Sequence, residues 1–399
     1  MSTKKGLIAL SRLLIIFLAT MNVFVLLYAP QPLLPLFAQY FDISIPTASL
    51  TISVTIIALA ATSLISAPLF DCWDRKKVIL FSSVALIIPS IMLYIPQPFS
   101  MVLIWRALYG LFIPGVTAVI MAYISEEFPV DQRGRVMGVY VSANVAGGLV
   151  GRVISGPISE TYSWQTVFGV IAVCSSVIAF LVWNFLPSPR YQSKRSEQSF
   201  LLHFRNPALV GAFLIGFSQF FAFIGFFTYI PFYASESPFH LSITQISLLY
   251  ATYSFGIFSA PFAGFLSDII GRRSTMALGH LIGGVGILIT LYSSVPALIV
   301  GSSLLTLGNF ASQSATTAFV TDIAEESRGA ATSLYLFFFY VGGSLGAWIP
   351  GILWKEFGWH GLVFLTVGTI VLALLSNLIL ASRNRGKFHF QNDFRNFIR

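Results

Sequence analysis

Charge is scarce in this sequence. Only 10% of the 399 residues are Asp, Glu, Lys or Arg, while 56% are hydrophobic. A soluble domain carries about 25% charged and about 45–50% apolar residues, so a chain of this composition cannot cover its apolar surface in water and needs a lipid bilayer as part of its solvent. Acid is the scarcest charge: all fifteen carboxylates fall in loops or near the ends of apolar runs. Cysteine is nearly absent. Cys72 and Cys174 make no disulfide framework and fit no zinc or redox spacing. A phosphate-binding glycine loop, a metal cluster and a nucleophile constellation are also lacking, so neither an enzyme nor a bound cofactor is expected. The net charge of +8 does not indicate nucleic acid, because the basic residues sit in short clusters between apolar runs. The first apolar run, from about Leu13, is too long for a signal peptide and has no small-residue cleavage site, so it reads as an uncleaved span.

What the sequence does have is twelve long apolar runs. They lie at about 13–40, 47–70, 78–96, 99–125, 136–159 and 164–186, then at about 208–233, 243–267, 274–292, 296–321, 329–353 and 359–381. Each approaches the ~20 residues that cross a bilayer as a helix. They are too long for strands and show no sustained alternation. The expected fold is an all-α membrane protein with twelve transmembrane helices. The longest polar stretch, 187–207, divides it into six-helix halves, 1–186 and 208–399. Twenty of the 23 basic residues fall on the side of the two termini and only Lys355 lies in a loop opposite. The positive-inside rule then places both termini, the linker and the tail in the cytoplasm of a multi-pass protein of the cytoplasmic (inner) membrane.

The halves repeat. Arg133-Gly134, Gly151, Gly156 and Trp164 recur as Arg328-Gly329, Gly346, Gly351 and Trp359, at a constant offset of 195 residues. Two repeats related by an axis along the membrane normal are one plan for a transporter, with the site between them at mid-membrane.

Between the eighth and ninth spans stands Gly264-Phe-Leu-Ser-Asp268-Ile-Ile-Gly271-Arg272-Arg273. It resembles the G-x-x-x-D-x-x-G-R-R loop signature of the major facilitator superfamily. The resemblance implies a cytoplasmic latch, in which Arg272 reaches a carboxylate at a neighbouring helix end, with Asp322 as candidate. The matching place in the first half, Ala67 to Lys76, keeps Asp71 and Arg75 but has Ala67 and Asp74 in place of the glycines. Glu126 or Glu127 is the candidate partner of Arg75. The degenerate copy is expected to latch less firmly. Each loop could also be no more than a basic cytoplasmic turn.

The fourth span carries Arg106-Ala-Leu-Tyr-Gly110, similar to an R-x-x-x-G pattern of the same superfamily. On the fifth, Gly151-Arg152-Val-Ile-Ser155-Gly156 stands where its antiporters have G-P-x-x-G-G, with Arg152 in place of proline. Asn144, Gly148, Arg152, Ser155 and Ser159 share one face of that helix. Together with Tyr28-Ala-Pro30-Gln31-Pro32 on the first span, this resembles the YnfM-like, acriflavine-sensitivity branch, which implies export of a drug or metabolite.

An arginine inside a span is by default a functional candidate. Arg106 and Arg152 fall roughly 10 and 12 Å below the outer surface at 1.5 Å per residue, with no span carboxylate at that depth. They could complete their site with an anionic group on the cargo, or each could bond backbone carbonyls. Asn22, Gln31, Gln219, Asn309 and Gln313 are further candidates for cargo or coupling contacts, the single amides being as readily interhelix hydrogen bonds. The phenylalanines of the seventh span, Phe213 to Phe227, suit a lipid-facing surface, with some as an apolar cavity wall. His280 is the one candidate for a proton site within a span.

The expected function is secondary transport of a small organic molecule by alternating access, as ion-gradient-driven efflux by a monomer, with protons the candidate coupling ion. Uptake of an organic anion or metabolite is the runner-up, and a channel a weaker alternative.

Overall fold

The computed structural model describes residues 2–70, 73–188, 200–324 and 328–383, and among them no strand occurs. Helix α1 (Ser2–Tyr28) is followed by α2 (Ile45–Phe70), α3 (Arg75–Ala85, continued by Ile87–Tyr94), α4 (Phe99–Glu127), α5 (Val130–Thr161) and α6 (Trp164–Phe185). The second series is α7 (Pro207–Ser235), α8 (Ile243–Leu249 with Phe255–Ile270), α9 (Arg272–Ile289) and α10 (Val295–Ile323). The last stretch, Arg328–Ile379, breaks at Gly358, whose φ of 51° and ψ of −137° lie outside the helical region. An unbroken helix of that length would run roughly 78 Å, more than twice the ~30 Å hydrocarbon core. It therefore makes two spans, α11 (328–357) and α12 (359–379).

Ten described helices are long and apolar enough to cross a membrane, with Gly329–Ile379 taken as one. That one breaks at Gly358, and α9, whose first turn is basic, is not among the ten. The outside is apolar, as lipid requires: Phe258, Phe262, Phe265 and Ile269 form an exposed stripe along α8.

The halves pack by the same rule. In the first, α1 pairs with α5, α2 with α4, and α3 with α4 and α6; in the second, α7 pairs with α11, α8 with α10, and α9 with α10 and α12. The 195-residue offset has a physical cause. A Cβ at Gly151 would meet the α1 backbone at Val25, 2.9 Å away, and one at Gly346 would meet the α7 backbone at Phe221, 2.7 Å away. Gly156 and Gly351 serve contact between the halves: Gly156 lies against Ile243 and Ser247 of α8, Gly351 against Pro46 of α2. The repeated glycines are thus the places where helix axes must approach closely.

Two local irregularities shape the interior. Pro30 and Pro32 cannot continue α1, since neither has an N–H to give. The chain turns through a 3-10 segment at Gln31–Leu33 before a last short helix, Leu34–Tyr40. In α8 the helix tightens into a 3-10 segment at Tyr250–Ser254, where residues three apart stack on one face.

One expectation reverses here. Of the α7 phenylalanines, Phe213, Phe220, Phe221, Phe223, Phe226 and Phe227 are buried rather than facing lipid. Helix α7 packs on α8, α10, α11 and the end of α1 at once, which leaves little of its surface for lipid.

Candidate functional site

Arg106 and Arg152 are both fully buried, yet they are held differently. On α4, Arg106 donates from Nε to Thr51 O (2.9 Å), from Nη1 to Leu26 O (2.7 Å) and from Nη2 to Leu27 O (2.8 Å). The Leu26 carbonyl is available for a simple reason. Its helical donor would be the N–H of residue 30, which is proline. Gly110, one turn along, lets α4 approach α2 closely enough for this reach: a Cβ there would strike Ala58 Cβ at 2.6 Å. Every nitrogen of the Arg106 guanidinium therefore has a backbone acceptor.

Arg152 is less completely served. Its Nε donates to Gln31 Oε1 (2.6 Å) and its Nη1 to Gly148 O (2.8 Å), but Nη2 makes no well-formed hydrogen bond. The guanidinium carbon lies 4.0 Å from the ring centroid of Tyr28, 4.6 Å from that of Tyr253 and 5.4 Å from that of Tyr250. Tyr250 and Tyr253 both reach it because the 3-10 turn in α8 aligns them. Desolvated contacts of this kind contribute about 2 kcal/mol, but they do not neutralise the charge. No ion pair reaches Arg152 among the described residues. Glu160, at the rim of α5, pairs with neither arginine and instead accepts from Thr244 N (2.9 Å) and Ser242 Oγ (3.2 Å) at the start of α8.

This box is divided between the halves. Arg152, Gln31 and Tyr28 come from the first, Tyr250 and Tyr253 from the second, and Gln31 Nε2 donates across to Thr228 Oγ1 on α7 (3.3 Å). Further bonds continue the join on the side away from the termini. The Tyr229 hydroxyl donates to Ala347 O (2.8 Å) and lies 3.1 Å from Ser49 Oγ. Ser53 and Ser344 place their hydroxyls 2.9 Å apart. On the side of the termini α5 and α8, in contact at Gly156, face open space. Gly138, five turns along α5 from Gly156 and on the same face, would meet nothing within 4 Å with an added Cβ, and neither would Gly134 or, on α8, Gly264.

The other predicted residues lie within one half. Asn22 exchanges hydrogen bonds with Ser175 on α6 (3.0 and 3.2 Å). Gln219 donates to Asn309 O (2.9 Å), leaving its own Oε1 and Asn309 Oδ1 buried without partners. Gln313 is half-buried, and its carbonyl accepts from Thr317. His280 donates from Nδ1 to Met276 O (2.7 Å), with Ser312 Oγ 3.0 Å away. That places it between α9 and α10, away from the junction.

Both loops form ion pairs, of different character. Arg75 meets Glu126 at 2.9 Å, with side chains only 3% and 6% exposed. Arg272 meets Asp268 at 2.7 Å and Asp322 at 3.2 Å in a far more open setting, with Asp268 68% exposed. Gly271 takes φ +89°, which favours glycine. Arg273 donates from Nη2 to Asn377 O at the end of α12 (2.8 Å). Asp71 lies outside the described residues. The first loop, poorer in glycine, holds the better-shielded pair.

Sequence reading missed Tyr250, Tyr253 and Thr228. Tyrosines three apart in a span are the only signal, and an aromatic in a membrane helix is equally suited to face lipid.

The chain matches the Major Facilitator Superfamily over residues 13–242 and 236–396. An uncharacterized transporter of Buchnera aphidicola subsp. Schizaphis graminum is 33% identical over 371 residues, covering 92% of this chain and 90% of the relative. The inner membrane transport protein YnfM of Escherichia coli K12 is 32% identical over 368 residues, covering 91% and 88%. Among solved structures, a bacterial homologue of the human lysosomal transporter Spinster, inward-facing and occupied, superposes with a TM-score of 0.77 at 15% identity over 93% of this chain and 96% of that one. The fold is shared with that structure, and the sequence relatives extend nearly end to end: this chain is a multi-pass membrane protein and not an enzyme, and it belongs to the major facilitator superfamily.

Proposed function

We propose that the chain is a secondary active transporter that exports a small organic drug or metabolite across the cytoplasmic membrane by alternating access. The observation that carries this reading is the opposite condition of α5 and α8 at their two ends, in contact at Gly156 and apart at Gly138 and Gly264. Rocking of one half, 1–186, against the other, 208–399, would open the Arg152 junction and exchange the two conditions, with 187–207 as the tether. The basic bias of the terminal side makes that side cytoplasmic, so the present state is open inward. An ion gradient, with protons as the ion, drives the cycle of a monomer. The pairs Arg75–Glu126 and Arg272–Asp268–Asp322, with Asp71, Gly264, Gly271 and Arg273, form the cytoplasmic gate.

Transport of a compound panel in inside-out and right-side-out vesicles tests this. Gradient-dependent accumulation in inside-out vesicles alone is expected. Transport that ignores both the gradient and the orientation would overturn it in favour of a passive pore. Asp268→Asn should abolish transport in a protein that still inserts, and Asp71→Asn should cost less.

A further inference from the structure

We infer that the cargo carries a single negative charge, a carboxylate or a like anion on an aromatic or otherwise apolar body, and that Arg152 receives it. This rests on the transport reading above. A guanidinium has five N–H donors. Arg152 uses one on Gln31 and one on Gly148 and makes a weaker contact with the Tyr253 hydroxyl; the donors left without a well-formed bond are one on Nη1 and both on Nη2. Those remaining donors lie on adjacent nitrogens, the arrangement a carboxylate accepts at two points. The residue is fully buried, so water does not solvate it freely, and its charge has no ion-pair partner among the described residues. Arginine cannot escape by losing its proton. A buried positive charge with donors unfilled is unfavourable unless an anion arrives.

Arg106 does not share the task. It spends three of its five donors, one on each nitrogen, on the Leu26, Leu27 and Thr51 carbonyls, so none of its nitrogens is left without an acceptor, as Arg152 Nη2 is. One arginine, not a pair, faces the cargo, and one charge is what it can balance. A cationic cargo would meet an unscreened like charge with no carboxylate to offset it.

The rest of the cargo is read from the walls. Behind Tyr253, ring centroids lie 5.7 Å away at Phe223 and 5.3 Å away at Phe310, and these two rings are 6.0 Å from each other. They come from α7, α8 and α10. When the halves separate, the Tyr253 face now over Arg152, backed by these rings, is freed for the apolar part of an anion held there. Because the box is shared by both halves, rocking must dismantle it. It draws Tyr250, Tyr253 and Thr228 away from Arg152 and Gln31, and a bound anion keeps the guanidinium balanced while they separate.

The test uses the full chain in lipid nanodiscs. Benzoate, 1-naphthoate and indole-3-acetate are each titrated beside their own primary amides, with chloride and tetraphenylphosphonium as further ligands. At least one acid should bind about tenfold or more tightly than its amide, the scale of a charge-assisted hydrogen bond. Arg152→Gln should bring that acid down to its amide and leave the amide unchanged. Arg152→Lys, which keeps the charge but not the fork, should fall between; it decides the matter if the glutamine variant does not fold. Acids that never exceed their amides, an unchanged acid in Arg152→Lys, chloride that competes fully with every acid, or tetraphenylphosphonium binding best would each overturn the assignment. Spin labels at Val141 on α5 and Phe265 on α8 separate this from the transport reading. Two distance populations without acid binding remove only the anionic cargo. A single distance under all conditions removes the alternating-access reading and the inference with it.

Discussion

Arg106 and Arg152 are the same residue, equally buried, on antiparallel helices of the same half, and they hold opposite positions in the structure. Helix α1 supplies the difference. Where Pro30 interrupts it, carbonyls are left over and Arg106 takes them. One residue further, Gln31 offers Arg152 a single oxygen. Burial alone therefore does not tell a structural arginine from a functional one; whether each of its nitrogens has an acceptor does. Arg106 ties α1, α2 and α4 together. Arg152 stands at the junction of the halves with capacity to spare.

The largest expected effect follows from removing the arginine whose every nitrogen is engaged. Arg106→Gln should destabilise the protein by about 4 kcal/mol, since three charge-assisted hydrogen bonds are lost and their carbonyls stay buried, measured by denaturant unfolding in mixed micelles. Adding Pro30→Ala restores an N–H for Leu26 O and should recover about 1 kcal/mol. A loss of less than 1 kcal/mol in the single variant would place Arg106 beside Arg152 after all.

Arg75, on the same half, is next. Arg75→Gln leaves Glu126 buried and unpaired, which should cost about 3 kcal/mol, whereas Arg272→Gln should cost under about 1 kcal/mol, as exposed pairs do. Equal losses in the same unfolding assay would contradict the difference in shielding between the loops.

Arg152→Gln should change stability by only about 1 kcal/mol, because the lost contacts are offset by removing a charge that has no partner. Its effect belongs in binding. Smaller still, Tyr253→Phe keeps the ring over Arg152 and loses only the weak hydroxyl contact with the guanidinium, which should shift stability by under about 0.5 kcal/mol, while Tyr253→Leu should cost about 1–2 kcal/mol. Indistinguishable phenylalanine and leucine variants would show that the ring face contributes nothing.

Much of the fold is legible in the residues. The apolar runs, the offset of 195 and the break before Trp359 all reflect local requirements: length to cross lipid, glycine where axes touch, a turn at Gly358. The candidate partners of Arg75 and Arg272 were within reach of sequence because loop and helix-end positions follow from the span count. The two buried arginines were not separable. Arg106 finds its acceptors on helices 55 to 80 positions away, and no pattern around residue 106 reports that Pro30 has freed a carbonyl. Tyr250 and Tyr253 meet Arg152 where α8 tightens into a 3-10 turn, with neither proline nor glycine within that turn to announce it.

The sequence by itself determined that the chain lives in a membrane, that it is helical, and that it is built twice, because composition, run length and repeat spacing are properties of the chain alone. Tertiary structure decided which buried polar groups are satisfied. A hydrogen bond needs its acceptor in place, and the three carbonyls of Arg106 and the Gln31 oxygen of Arg152 arrive from elsewhere in the fold, so only the packed arrangement gives every nitrogen of one arginine an acceptor and leaves Nη2 of the other without one.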